Sequence, residues 1–132
     1  MINVTAMFAA AAATVPVGAL WYSPVLFAKP WMKLNGINPK KKAKCGYFLP
    51  FAATFGTSIV LAFLLSLLFA LLKITVLVDA WKISTLLWFG LDFMPNLTRA
   101  LFAKKPVELV LIDSGHSATN IIVATGVLMM WK

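Results

Sequence analysis

Four long apolar stretches alternate with short polar segments along the chain. They occupy residues 2–22, 47–72, 82–103 and 107–131, and each is long enough to supply the ~20 residues that a helix needs to cross a bilayer. A membrane span must satisfy its backbone hydrogen bonds internally, which favours helices. The pattern therefore predicts an all-α fold: a four-transmembrane-helix bundle that forms one integral membrane domain over residues 1–132.

The segment between the first two spans, residues 23–34, is too short to cross a bilayer. It mixes aromatic side chains with lysines, a composition that is typical of a segment lying in the membrane interface. Together with the end of the first span it predicts an interfacial anchor. The alternative is a docking surface for lipid headgroups or a partner. The residues of this group are Trp21, Tyr22, Phe27, Lys29, Trp31 and Lys33.

Composition supports a membrane class. Of the 132 residues 61% are hydrophobic and only 12% are charged, about half the charged share of a soluble domain. The net charge is +8, which could indicate nucleic acid. However, the lysines cluster between apolar spans, so we expect contact with the lipid bilayer and no nucleic acid. The single cysteine, Cys45, excludes an intrachain disulfide and a multi-cysteine metal site.

The distribution of basic residues predicts the orientation. One side of the membrane would carry Lys29, Lys33, Lys40, Lys41, Lys42, Lys44, Arg99, Lys104 and Lys105. The other side would carry Lys73, Lys82 and Lys132. Lysines and arginines concentrate on the inner side of membrane proteins. We therefore expect the lysine-rich loop in the cytoplasm, or in the matrix or stroma of an organelle, and both termini on the opposite side.

Polar residues recur at helical spacing in the last two spans. On each helix they share one face, because they lie three, four or seven positions apart. If the two helices are antiparallel, three pairs meet at matching depths and form a polar seam. The expected pairs are Asp92 with Asn120, Asn96 with His116, and Arg99 with Asp113 as an ion pair.

This seam has two interpretations. Polar contacts between membrane helices stabilise association by about 0.6–2 kcal/mol each, so the seam could be purely structural. Intramembrane Asp and His also serve as proton relays, and Pro95 would free carbonyl groups beside Asp92, as at transporter sites. The complete pairing of the seam favours the structural interpretation.

No catalytic or metal-binding pattern stands out. His116 is the only histidine, and one histidine with scattered carboxylates is a poor ligand set for a metal. Ser114 and Ser117 flank His116, but positions two or fewer apart on a helix do not face each other. No phosphate-binding or nucleophile motif is present. We expect no enzyme activity, no cofactor and no metal.

The run from Gly18 to Lys33, with Trp21-Tyr22-Ser23-Pro24 at its centre, resembles the opening of the domain of unknown function 1761 family. The end of the chain is also similar: an acid three residues before His116, and a final Trp131. The resemblance covers essentially the whole chain. It implies a small membrane protein with four spans and implies no activity. The lysine cluster after Lys33 departs from the family pattern.

Two functions remain open from the sequence. The first is a non-catalytic membrane protein that acts by association, as an accessory subunit of a membrane complex or as a homo-oligomer. The small size and the alanine-rich first span favour it, because small residues allow close helix packing in lipid. The alternative is a small proton- or ion-linked transporter or channel that uses Asp92, Asp113 and His116.

Overall fold

The computed structural model describes residues 2–38, 40 and 48–131. The described residues form helices and no strand, which confirms the all-α prediction. The helices are α1 (Val4–Trp21), α2 (Ala28–Leu34), α3 (Phe48–Leu71), α4 (Leu77–Trp88), a π-helical segment (Phe89–Phe93), α5 (Met94–Phe102) and α6 (Val107–Met130). Most of the predicted lysine cluster and Cys45 lie outside the described residues.

The third helical stretch begins at Leu77, five residues before the predicted start of the span at 82. Val76 has an extended backbone and precedes the first turn, and Asp79 lies within that turn. A carboxylate there is favourable because the exposed N–H groups of a helix start carry partial positive charge. The connection after α3 is therefore shorter than the sequence pattern predicts.

Among the described residues, two helices are long and apolar enough to cross a membrane: α1, and α3 over Leu49–Leu71. The other two predicted spans have different properties. The third consists of α4 with 12 residues, the π-helical segment with 5 and α5 with 9. The fourth, α6, has 24 residues and carries two acids, Glu108 and Asp113.

Helix α6 occupies the centre of the fold. It packs most extensively against α1 and α4 and less against α2, α3 and α5, whereas α3 packs mainly against α1. The helices approach each other through alanines: Ala6, Ala10, Ala62, Ala80 and Ala124 are each at most 1% exposed. Small side chains permit such close packing of backbones. The arrangement leaves α3 and α4 apart, on either side of α6.

Two buried pairs of hydroxyl groups join neighbouring helices. Thr14 Oγ1 in α1 donates to Ser58 Oγ in α3 at 2.9 Å. Ser84 Oγ in α4 and Thr125 Oγ1 in α6 are 2.7 Å apart, and both residues are fully buried. Each pair satisfies two polar groups that would otherwise be costly inside the packed helices. These pairs fix how α3 and α4 are placed relative to α1 and α6.

Candidate functional site

The π-helical segment gives Asp92 its position. The N–H of Met94 donates to the carbonyl of Phe89, five residues back. Pro95 follows directly, and a proline has no N–H to donate and its ring clashes with the carbonyl four residues earlier. The wider turn accommodates that proline without ending the helix. Single π turns of this kind occur often at functional sites.

Asp92 has one partnered and one unpartnered oxygen. Asn96 Nδ2, one turn later, donates to Asp92 Oδ1 at 3.2 Å. Asp92 Oδ2 is buried and has no hydrogen-bond partner among the described residues. A buried acceptor without a partner costs about 1–3 kcal/mol, and more when it is charged. The carboxylate therefore retains an unused capacity to bind a donor.

A second polar group comes from α6. His116 Nε2 and Asn120 Nδ2 are 3.1 Å apart, and Asn120 Oδ1 is buried without a partner in the described part of the chain. Gly18 of α1 lies behind the imidazole, since a Cβ at that glycine would stand 3.1 Å from His116 Nε2. The absence of a side chain at Gly18 lets the ring sit against α1. His116 is thereby held at the base of the space between α3 and α4.

A cleft of about 830 Å³ occupies this space. Its walls are the leucines of α3 on one side and Leu87, Trp88 and Leu91 on the other. Asp92, His116 and Asn120 all line it. Ligand sites for small molecules have this size and this character: apolar walls with a few converging polar groups. The cleft is the candidate functional site of the molecule.

Asp113 belongs to a different cluster. Tyr22 Oη donates to Asp113 Oδ1 at 2.7 Å, and Trp31 Nε1 donates to the same oxygen at 2.9 Å. The rings of Tyr22 and Trp31 meet edge to face at 5.6 Å. Hydrogen bonds to an ionised acceptor are about twice as strong as neutral ones. Asp113 therefore fastens α2 and the end of α1 to α6.

Trp21 completes this attachment. Its Nε1 donates to the carbonyl of Ile112 at 2.9 Å, and its ring lies 4.8 Å from that of Phe27. A Cβ at Gly115 would stand 3.0 Å from Trp21 Cζ2, so a glycine is needed where the indole crosses α6. The polar atoms of Trp21, Tyr22 and Trp31 thus donate hydrogen bonds to α6, and the interfacial anchor or docking role of this group stays a prediction. Lys29 and Lys33 are exposed.

The three pairs predicted for the polar seam are not formed among these residues. Arg99 is exposed, and the ion pair in the described part of the chain is Lys82–Asp79 at 3.2 Å. Asp92 and His116 find their hydrogen bonds within their own helices. Asp113 instead accepts from Tyr22 and Trp31. The π turn alters the register of Asp92 alone, because Asn96 and Arg99 lie in α5, between that turn and the start of α6.

Sequence reasoning missed the partners of Asp113 and the Ser84–Thr125 pair. Tyr22 lies 91 positions before Asp113, and no local pattern predicts such a contact. Gly18 and Gly115 carried a usable signal, because glycines within helices often mark the close approach of a large side chain. No group of three possible metal-ligating acids, histidines or cysteines occurs among the described residues.

Comparison with protein families gives one match, to the family described as protein of unknown function (DUF1761), over residues 5–129. The chain belongs to the DUF1761 family. Comparison with curated proteins and with solved structures gives no match. In this member of the family, the opening run from Gly18 to Lys33 supplies the aromatic groups that hold Asp113 and His116.

Proposed function

We propose that this DUF1761 protein is a four-span integral membrane protein without catalytic activity, and that it moves protons or cations through the cleft between α3 and α4. Both termini would lie on the side opposite the lysine-rich loop. The observation that carries this proposal is the convergence of Asp92, His116 and Asn120 on one cleft with two buried acceptors unpartnered. Intramembrane acids and histidines of this kind are typical of ion and proton pathways.

Of the two functions that the sequence left open, the geometry favours transport over association. The structural interpretation of the seam depended on complete pairing, and Asp92 Oδ2 and Asn120 Oδ1 have no partner among the described residues. A group that served only as glue between helices would be expected to be paired. Asp113, whose Oδ1 accepts from both Tyr22 and Trp31, is better explained as a structural residue.

Proton flux into liposomes tests the proposal. The purified full-length chain is reconstituted into liposomes, and an inside-negative membrane potential is imposed to drive protons inward. The internal pH is followed with a trapped dye. We expect flux that Asp92→Asn reduces at least tenfold. Asp79→Asn is the matched control, because Asp79 is an exposed acid on α4 that does not line the cleft. Equal flux through Asp92→Asn, Asp79→Asn and the unchanged protein would overturn the proposal. Equal flux in liposomes with and without the unchanged protein would overturn it as well.

The exposed surface of α3 supports a second candidate, association with itself or with other membrane subunits. Val60 and Phe63, which lie outside the cleft lining, are 56% and 42% exposed, and α3 has one major packing neighbour, α1. The native mass after mild detergent extraction tests this candidate. A defined oligomer or complex that Phe63→Ala weakens would support it, and a monomer without companions would contradict it.

A further inference from the structure

The unpartnered atoms of the cleft are both hydrogen-bond acceptors. Asp92 Oδ2 and Asn120 Oδ1 accept and cannot donate while the acid is ionised. Of the hydroxyls that line the cleft, Thr54 donates to the carbonyl of Pro50 and Thr57 donates to that of Ala53. Ser117 donates to the carbonyl of Asp113. Two further groups of the lining keep a hydrogen-bonding position: Ser58, which accepts from Thr14, and His116, which contacts Asn120 through Nε2 alone. The two buried unpartnered acceptors are the groups that a hydrogen-bond-donating ligand would satisfy.

The charge of the cleft points the same way. Among the described residues that line it, Asp92 is the only acid and none is a lysine or arginine. Asn96 supplies one neutral donor to the carboxylate, and Asp92 forms no ion pair within residues 2–38, 40 and 48–131. A carboxylate in apolar surroundings is stabilised strongly by a cation that also donates a hydrogen bond. The described part of the chain places no such cation at Asp92, so we expect the ligand to supply it.

The side chains that line the cleft indicate the chemistry of the rest of the ligand. The α3 side consists largely of leucines, including Leu61, Leu64 and Leu68, which suit an aliphatic body. Trp88 lines the opposite side together with Asp92. Its Nε1 donates to the carbonyl of Ser114 at 2.8 Å, and its ring packs 5.6 Å from that of Phe93. The indole therefore adds apolar surface to the cleft, and Asp92 is the group in the lining that favours an ammonium group.

Asp92 Oδ2 is itself shielded from water in this structure. Asp92 and Asn120 are only partly buried as residues, and both line the cleft. The terminal torsions of aspartate and asparagine side chains are broad, so a partial rotation turns a buried oxygen toward an ammonium group in the cleft without rearrangement of the helices.

We infer that the cleft between α3 and α4 binds a lipophilic amine, with its ammonium group at Asp92 and Asn120 and its apolar body against the leucines of α3. This inference rests on the cleft being the functional site proposed above, and it names the class of cation. A volume of about 830 Å³ accommodates a molecule of drug-like size.

The test uses two probes that share one apolar body. Radiolabelled 1-adamantanamine is bound to the full-length chain in phosphatidylcholine nanodiscs, and 1-adamantanol is the neutral competitor. We expect saturable binding of the amine, competition by the alcohol at least tenfold weaker than by unlabelled amine, and at least tenfold weaker binding to Asp92→Asn. Asp79→Asn should bind the amine as the unchanged protein does. Equal competition by amine and alcohol, or unchanged binding to Asp92→Asn, would overturn the inference.

A second pair of variants keeps the test informative if Asp92→Asn fails to fold. Leu68→Trp fills the cleft from α3 without changing any charge, and Phe51→Trp changes an exposed α3 residue outside the cleft lining. We expect Leu68→Trp to abolish amine binding and Phe51→Trp to preserve it. The opposite result would contradict the location of the site. Amine binding without ion flux would leave this inference standing and refute the transport function, whereas proton flux without amine binding would do the reverse.

Discussion

At the scale of single residues, the most constrained group is Asp113. One of its oxygens accepts hydrogen bonds from Tyr22 and Trp31, which lie on different parts of the chain. The ring of Tyr22 also meets the imidazole of His116 edge to face at 5.0 Å. The same aromatic residues thus support both the attachment of α2 and the position of a cleft residue. Loss of one of these donors should therefore affect both the attachment of α2 and the position of His116.

We expect Tyr22→Phe to lower the free energy of unfolding by about 1 kcal/mol, because it removes a hydrogen bond to a carboxylate while keeping the ring. Unfolding in mixed detergent micelles measures this change. The double variant Tyr22→Phe with Asp113→Asn should lose less than the sum of the single variants, since the two groups interact directly. Strict additivity would contradict the contact.

Two glycines that both lie inside helices, Gly115 in α6 and Gly56 in α3, should respond differently to substitution by alanine. We expect Gly115→Ala to destabilise the protein by about 1–3 kcal/mol, because the new methyl group meets Trp21 Cζ2 at 3.0 Å and the indole is held by its hydrogen bond to Ile112. Gly56→Ala in α3 meets nothing within 4 Å and should be neutral or stabilising by up to about 1 kcal/mol. Thermal unfolding of the two variants compares them. Equal effects would show that Gly115 is not a packing site.

At the scale of helices, α6 carries most of the interhelical hydrogen bonds. Three tryptophans donate to its backbone: Trp21 to Ile112, Trp88 to Ser114 and Trp81 to Ile122. Side-chain contacts through Asp113 and Thr125 add to these. An indole can pack against apolar surroundings and still satisfy its N–H group. Helix α6 therefore acts as the common support for α1, α2 and α4.

The Ser84–Thr125 pair offers a test of how α4 is held on α6. We expect Ser84→Ala and Thr125→Val each to cost about 1 kcal/mol, because each leaves a buried hydroxyl without its partner. The double variant should recover part of that loss, with a coupling of about 0.6–1.7 kcal/mol. Denaturant unfolding measures all three. Thr54→Val is the control, since the Thr54 hydroxyl is exposed and bonds to its own helix, and it should have little effect.

At the scale of the whole molecule, the helices form an open arrangement, because α3 packs mainly against α1, less against α6, and stands apart from α4. The cleft is a direct result of this opening. Exposed basic residues, among them Lys29, Lys33, Arg99 and Lys104, belong to the connections that the sequence assigns to one side of a membrane. In the described part of the chain none of these four forms an ion pair.

The single cysteine provides a test of the proposed topology. If the loop around Cys45 faces the cytoplasm, a membrane-impermeant maleimide should label the unchanged protein only after the cells are permeabilised. A Cys45→Ser variant with Asp79→Cys should be labelled in intact cells. Asp79 lies in the first turn of α4, and this end of α4 is predicted on the side of the membrane opposite Cys45. Labelling of Cys45 in intact cells, or identical labelling of both positions, would contradict the predicted orientation.

Much of the candidate site was predictable, but its pairing was not. The spacing of Asp92, Asn96, His116 and Asn120 identified the polar faces of two helices, and three of these four residues line the cleft. The predicted partners were wrong because Asp113 bonds to Tyr22 and Trp31, and Asp92 and His116 bond to residues one turn away in their own helical stretches. The π turn before Pro95 changes the register of Asp92 alone. The role of Tyr22 was out of reach, because its partner lies in the last helix.

The sequence by itself determined the all-α class of the described residues and indicated which helical stretches carry polar side chains. These properties follow from local backbone requirements and from the periodicity of a helix, both of which act over a few residues. The tertiary structure decided which side chains meet: Asp113 with Tyr22 and Trp31, Ser84 with Thr125, and no partner for Asp92 Oδ2 among the described residues. Those contacts depend on how whole helices rotate and pack, and the opening between α3 and α4 exists only at that level.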